Sequence, residues 1–490
     1  MPIFLLLLVY NIFAANAHPN FVVVLTDDQD LILDGLTPMG KTLELIGGKG
    51  KVFNNAFANS PICCPSRSSI LTGKFVHNTG VFNNSIEGNC SSPYWQEHHE
   101  PYSIVALLKD SKNYTTFYAG KYMNQYGTKE AGGISHVPKG YDWWIGLQGN
   151  SKYYNYTLSV NGTEVFHEDV YLTDLLSNYS IDFLRDKPAD KPFFMIVAPP
   201  AAHAPFTPAE RHKNMFPEVK AVRSPSFNFT SSQKHWLVQM SPSHLPSNVS
   251  ILDETHKHRQ QTLLAVDEMV ERIFKELEES EELENTYIIF TSDNGFHIGQ
   301  FAQPWDKRQP YETDIRVPFI ISGPDIPLKI TENYPILLVD IAPTILDLAG
   351  TEIPDFMDGR SFKEALLSDE TKLPSRQIFF EYWGEGESTT IDSSCPWKDD
   401  ENLSFCIVDQ WCKCQDSRNN TYTCVVTLSE SDKFKYCSFR DNQHFREAYN
   451  LTLDPYELDN VYAEMDKGVV GEYDGLLENF QNCRGSGCWL

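Results

Sequence analysis

The chain has 490 residues, with 40 Lys+Arg against 66 Asp+Glu and a formal charge of −26. Phosphate recognition needs clustered cations, so this balance excludes a nucleic-acid partner; 41% hydrophobic and 13% aromatic residues exclude intrinsic disorder. At roughly 150 residues per domain, the length points to two or three domains.

Residues 3–13 form an apolar run, followed by Ala15-Asn16-Ala17, the small-x-small pattern of a signal-peptidase site. Residues 1–17 are therefore expected to be a secretory signal peptide. No later apolar run approaches the roughly 20 residues that cross a bilayer, so no membrane span is expected and the mature chain should be soluble, in a lumen or outside the cell. Sequons agree with export. Asn83, Asn89, Asn113, Asn155, Asn161, Asn178, Asn228, Asn248, Asn402, Asn419 and Asn450 each head an N-x-S/T triplet, which predicts a glycosylated surface.

Residues 21–26 (FVVVLT) are apolar and β-branched and end at Asp27 and Asp28, as a buried parallel strand does when it delivers polar groups at its carboxyl end. Residues 193–198, 287–291 and 317–322 repeat this kind of run. Between them, Leu263, Val266, Val270, Ile273 and Leu277 recur at helical spacing within 253–280, and residues 341–349 read as a further helix stopped by Gly350. Strands alternating with helices predict an α/β core with a mostly parallel sheet, in which sites gather at the carboxyl ends of strands. The pattern changes near Glu370, where a second domain is expected to begin. Six of the 11 cysteines then fall between Cys395 and Cys437, and Cys483 and Cys488 follow. In an oxidising compartment that clustering predicts disulfides. Zinc at Cys406, Cys412, Cys414 and Cys424 is the weaker alternative, because C-x-C fits the usual ligand spacing poorly.

The sharpest segment is residues 61–73, PICCPSRSSILTG. Cys63-x-Pro65-x-Arg67 opens a serine-rich and then aliphatic stretch that predicts a helix ending at Gly73. A helix N-terminus offers N–H groups and a positive dipole end to an anion, and Arg67 adds a fixed charge. Asp27-Asp28 and Asp293-Asn294-Gly295 each follow a predicted strand. Taken singly, such groups are ordinary caps or turns; together at strand ends they supply hard oxygen ligands for Ca2+ or Mg2+.

C-x-P-S-R followed by small and aliphatic residues and T-G resembles the sulfatase family. Gly120-Lys121-Tyr122, His203 in PPAAHAPF, TSDNG at 291–295 and Lys307 in WDKRQPYE occur in that family's order. The resemblance implies an alkaline-phosphatase-like core over residues 18–370, its mostly parallel sheet flanked by helices, and a smaller disulfide-rich α+β domain over 371–490. It implies that Cys63 is converted to formylglycine by the formylglycine-generating enzyme, which accounts for the odd cysteine. It further implies one Ca2+ held by Asp27, Asp28, Asp293 and Asn294, with residue 63 completing the shell. Arg67, Lys121 and Lys307 would neutralise the sulfate, and His203 or Lys307 would protonate the departing sugar oxygen.

CCPSRSSILTGKFVHN, NNSIEGNCSS, AGKYMNQYG, TSDNGFHIGQF, DKRQPYE and YNLTLDP resemble most closely the branch that removes 6-O-sulfate from N-acetylglucosamine end-groups of heparan and keratan sulfate. Sulfated glycosaminoglycan ends are then the implied partners and the lysosome the implied location, with secretion as the alternative. An endosulfatase acting inside heparan chains would carry a long basic insertion, which this chain lacks, and a glycan-binding protein without activity would not need the intact set of motifs. Where many members have a histidine after the Gly-Lys-aromatic step, this chain has Met123 and Asn124; His297 is a candidate substitute or substrate contact. The acidic balance favours a small end-group in a compact cationic pocket, lined in part by the C-terminal domain near Glu381 and Glu385.

Overall fold

Residues 21–26 do form a strand, and they occupy the middle of a ten-stranded sheet in the computed structural model, which describes residues 18–369, 376–429 and 432–490. The expected signal peptide and the expected boundary near Glu370 lie outside the described residues. The strands are β1 (Asn20–Thr26), β2 (Gly50–Phe53), β3 (Thr115–Gly120), β4 (Trp143–Leu147), β5 (Tyr156–Val160), β6 (Thr163–His167), β7 (Phe193–Ala198), β8 (Thr286–Ser292), β9 (Phe319–Ser322) and β10 (Ile330–Glu332). Their order is β10-β2-β9-β8-β1-β7-β3-β4-β5-β6.

From β8 through β1, β7 and β3 to β4 every pairing is parallel. The edges differ. β9 runs antiparallel to both β8 and β2, because the segment between β8 and β9 holds only the one-turn helix Glu312–Ile315 and returns without a helical crossover. At the other edge β5 and β6 form a hairpin through Asn161-Gly162, both at positive φ (50° and 84°), the backbone that a tight Asn-Gly turn requires.

Side chains of β1 alternate between two cores, as a pleated strand buried on both faces demands. Phe21, Val23 and Leu25 pack with Ile70 and Leu71 of α1 (Cys63–Thr72) and with Ile341 and Ile345 further along the chain. Val22 and Val24 pack on the opposite face with Leu176 and Leu184 of α2 (Leu172–Asp186) and with Leu263, Val266 and Val270 of α3 (Ser250–Glu279). The helix expected at 253–280 is thus α3, which starts three residues earlier. The helix expected at 341–349 is α4 (Ile341–Leu348), and Gly350 follows it at φ 64°.

The C-terminal unit is α+β. β11 (Arg376–Tyr382), β14 (Tyr422–Leu428), β15 (Lys433–Phe439) and β16 (Arg446–Asn450) make an antiparallel sheet covered by α5 (Lys467–Asn482), and β12 (Leu403–Cys406) pairs with β13 (Cys414–Ser417) as a separate hairpin. Cysteines pair as Cys64–Cys90, Cys395–Cys412, Cys406–Cys414, Cys424–Cys437 and Cys483–Cys488, so the zinc alternative falls: its four cysteines are spent in three different bridges. Cys63 is free and buried. None of the sequon asparagines is buried. No described helix is long and apolar enough to cross a membrane.

Asp358 ties the two units together. Its buried carboxylate accepts from Phe75 N (2.8 Å) and Asn78 Nδ2 (2.9 Å) beside α1, and from Gly485 N (2.7 Å) near the C-terminus. Asp358→Ala strands the buried N–H groups of Phe75 and Gly485, each worth about 1–3 kcal/mol when left unpaired, while Asn78 Nδ2 keeps Cys483 O at 2.9 Å. We expect a lower denaturant midpoint with an unchanged slope; an unshifted midpoint would contradict this tie.

Candidate active site

The register of the parallel strands assembles the site. Thr26 of β1 lies beside Ser292 of β8, so Asp27-Asp28 and Asp293-Asn294 leave the sheet side by side. Gly120 of β3 lies beside Ala198 of β7, which delivers Lys121 and, past a turn, His203 to the same edge. Asp27 N donates to Ala201 O at 2.8 Å and Ala202 N donates back to Asp27 O at 2.6 Å, which fastens the β7 loop to the β1 loop. α1 approaches with its N-terminus. All ten of its residues are buried, and Gly73 ends it at φ 67° with its N–H on Ser69 O. Cys63 and Arg67, four residues apart, share a helix face. Of the N–H groups expected to be free there, that of Cys64 is taken by Asn84 Oδ1 at 2.9 Å.

Each carboxylate has its own cation. Lys121 Nζ donates to Asp27 Oδ2 (2.7 Å), Lys307 Nζ to Asp28 Oδ2 (2.6 Å) and Arg67 Nε to Asp293 Oδ2 (2.7 Å). Arg67 is held further by a bond from Nη1 to Lys121 O at 2.6 Å. Cys63 Sγ sits 3.5 Å from Asp27 Oδ1 and 3.9 Å from Asp28 Oδ1, and His203 Nε2 is 3.8 Å from Asp28 Oδ2.

Burial raises the Asp27 carboxyl, yet Lys121 and Arg67 outweigh it and hold it well below the usual range; Lys307 does the same, less strongly, for Asp28. Asp293 differs. Burial pushes it up to about 6, with Arg67 offsetting only part and the Asp27 charge adding to the rise. Asp293 thus resists ionisation beside two charged aspartates, a demand that a bound cation meets. Burial also lifts the Cys63 thiol to about 12, so the unmodified side chain stays protonated and is a poor nucleophile. For His203, burial and Lys307 outweigh the neighbouring aspartates and lower it to about 4, leaving a neutral ring.

The donor set fits a metal ion. Carboxylate oxygens of Asp27, Asp28 and Asp293 lie within 4.8 Å of one another. Asn294 Nδ2 is committed to Asp28 Oδ1 (2.7 Å) and Gly295 O (2.8 Å), which fixes the amide, and its buried Oδ1 has no partner. Four hard oxygens of this kind suit a divalent cation of the Ca2+ or Mg2+ class rather than zinc.

Above the cluster opens a pocket of about 520 Å3, with Asp28, His203 and Lys307 in its wall. That volume is in the range of small-ligand sites. His297 is not part of it. The ring is buried, with Nδ1 2.9 Å from Asp314 Oδ2 and Nε2 3.5 Å from Gln415 Oε1, so it braces the loop after Asn294. Asp314 holds it more basic than an ordinary histidine against the opposing effect of burial. Met123 also points away, into the core against Cys64 Sγ at 3.5 Å, whereas Asn124 lines the pocket. Glu381 bonds His77, and Glu385 lies 3.5 Å from Arg308 Nη2; the pocket residues contributed by the C-terminal unit are Phe405, Ile407 and Gln410 instead. Sequence reasoning missed Ser151, whose Oγ donates to Asp27 Oδ2. A single serine in a loop carries no local signal.

A cation that binds only the folded chain stabilises it by roughly 3 kcal/mol at a hundredfold excess over its dissociation constant. Adding Ca2+ to cation-stripped protein should therefore raise Tm, and the rise should vanish in Asn294→Ala. An unchanged wild-type Tm would contradict the cation site.

Comparison with known proteins gives one answer. The family profile described as Sulfatase matches residues 19–351. The chain is 46% identical over 479 residues to N-acetylglucosamine-6-sulfatase of Capra hircus, covering 96% of this chain and 85% of that one, and 45% identical over 486 residues to the Homo sapiens protein of the same name, covering 98% and 87%. Among solved structures, a protein in complex with its substrate D-glucosamine-2-N,6-O-disulfate superposes with a TM-score of 0.73 at 23% identity, over 95% of this chain and 97% of that one. With the strand-end acids, the three cations and Cys63 clustered around Asp28 and Lys307 of the pocket wall, the chain belongs to the sulfatase family and is a sulfatase enzyme.

Proposed function

We propose that this sulfatase hydrolyses the 6-O-sulfate of N-acetylglucosamine end-groups of heparan and keratan sulfate, in the lysosome, with Cys63 converted to formylglycine by the formylglycine-generating enzyme and Ca2+ held by Asp27, Asp28, Asp293 and Asn294. The observation that carries the reading is the convergence of Arg67, Lys121, Lys307 and His203 on Cys63 and the acid cluster, in a chain so similar to enzymes named for this substrate. A cysteine whose thiol is held protonated by burial is a poor nucleophile as it stands, which disfavours direct attack by Cys63 itself. The partly exposed sequon asparagines fit a glycoprotein.

The hydrated aldehyde supplies an oxygen nucleophile, and the cation supplies positive charge beside it. The protein's own residues do the rest. Lys121, just past β3, and Lys307, in the loop between β8 and β9, bring two ammonium groups to Asp27 and Asp28, where they neutralise charge on sulfuryl oxygens. Arg67, fixed by Asp293 and Lys121 O, cannot swing away and supplies a permanent field. Lys307 lines the pocket and carries protons, so it donates to the leaving sugar oxygen. His203 has Nδ1 2.7 Å from Ala204 O, which sets Nδ1 as the protonated nitrogen and leaves the Nε2 lone pair as the proton acceptor for sulfate release. This gives His203 the task left open by Met123 and Asn124.

Purified enzyme should release sulfate from terminal 6-sulfated N-acetylglucosamine in preference to galactose 6-sulfate and to internal heparan sites. Lys307→Ala should lower kcat on both substrates by removing charge at the sulfuryl oxygens, and by about 10²–10⁴-fold more on the sugar sulfate than on an aryl sulfate, whose phenolate leaves without a proton. Preference for another sugar would refute the substrate assignment, and equal losses on both substrates would refute the role of Lys307.

A further inference from the structure

A sulfate held at the pocket floor by His203 and Lys307 forces whatever carries it against the remaining wall. On one side that wall is Phe206, Phe296 and Trp305 of the catalytic domain; on the other it is Phe405, Ile407 and Gln410 of the C-terminal unit. These last three sit at the end of β12 and just beyond it, in a segment closed by the Cys395–Cys412 and Cys406–Cys414 bridges. Two staples on so short a stretch fix a surface that would otherwise be a loose loop.

Three contacts set its orientation. Phe405 holds φ 53°, a left-handed backbone that a residue with a side chain rarely adopts and that is retained only when its surroundings enforce it. Its ring lies 4.0 Å from the Arg308 guanidinium. Gln410 Nε2 donates to Trp305 O at 2.9 Å, which joins the two sides of the pocket, and its Oε1 has no hydrogen-bond partner. Asn124 Oδ1, on the same lining, is also without one. Uncommitted carbonyl oxygens of this kind are satisfied by donors such as hydroxyl and amide N–H groups.

The wall is also electrically closed to a second anion. Among the described residues that line the pocket, Arg308 is the one permanent cation besides Lys307, and carboxylates surround it: Asp306 Oδ1 at 2.6 Å, Glu385 Oε2 at 3.5 Å and Asp416 Oδ2 at 3.9 Å. Apolar side chains, amide acceptors and a neutralised arginine together suit an uncharged polyhydroxylated ring.

We propose that the twice-stapled segment is the specificity wall of this enzyme. Phe405 and Ile407 take the apolar face of the pyranose, Gln410 accepts from a ring hydroxyl or acetamido N–H, and the caged Arg308 leaves no partner for a further sulfate on the same ring. The inference rests on the sulfated-hexosamine reading above.

The test compares Gln410→Ala and Ile407→Ala with wild type on 6-sulfated N-acetylglucosamine and on nitrocatechol sulfate, which has no sugar. The ratio of kcat/KM for the sugar to that for the aryl sulfate should drop about tenfold, mainly through KM for the sugar. Ile407 is partly exposed, so its variant keeps the test sound if the change at Gln410 disturbs Trp305. An unchanged ratio in both variants, whether from equal losses or from none, overturns the specificity wall. Failure of the substrate assignment shows instead in the wild type, as preference for a different sulfated sugar, and the same ratio is then read on that sugar. Wild type that turns over the aryl sulfate and no sulfated sugar overturns both.

Discussion

The structure turns on the burial of three carboxylates at adjoining strand ends. Asp27, Asp28 and Asp293 are all but inaccessible to water, and charges so placed are tolerated only when paired. Arg67, Lys121 and Lys307 provide that pairing from three separate segments, each bonded to a different acid. Pairing alone leaves Asp293 reluctant to ionise and the Asn294 carbonyl oxygen without a partner. Both features fit a site built to hold a cation. The parallel middle of the sheet holds this arrangement, since the β1–β8 register brings Asp27-Asp28 beside Asp293-Asn294, and α1, buried along its whole length, carries Cys63 and Arg67 into it.

The same constraint reconciles an acidic protein with an anionic substrate. A net charge of −26 opposes a sulfate at long range, and the field is reversed only locally, where Arg67, Lys121 and Lys307 converge. Beyond that floor positive charge runs out at once, because Arg308 is matched by Asp306, Glu385 and Asp416. A compact anionic group at the end of a chain fits such a distribution better than a polymer laid along the surface. The C-terminal unit is accordingly more than a cover. It cages Arg308 and supplies Phe405, Ile407 and Gln410 to the pocket.

Much of this was legible locally. Apolar runs ending in acids marked β1 and β8; the Cys63 to Gly73 segment marked α1 with its stop; an odd cysteine count left one residue over, and Cys63 is that residue. What escaped depends on contacts between residues far apart in the chain. Ser151 reaches Asp27 across 124 positions, and nothing in its neighbours announces that. His297 follows Asn294 closely enough to suggest a place in the site, but Asp314 turns its ring into the interior. The antiparallel edges were missed although Asn161-Gly162 is a hairpin signal, because the strands it joins are short and half exposed. The pocket wall was assigned to Glu381 and Glu385, next to a strand, whereas a stapled hairpin about twenty residues on provides it; cysteine spacing predicted bridges without saying which surface they would pin.

The central claim is that residue 63 works as an aldehyde beside a bound cation. Mass spectrometry of the proteolytic peptide containing residue 63, taken from active enzyme made in a secretory host, tests it most directly. The account predicts formylglycine at that position, with the neighbouring Cys64 recovered in its bridge to Cys90. Full sulfatase activity from a preparation in which residue 63 is entirely unmodified cysteine would contradict it.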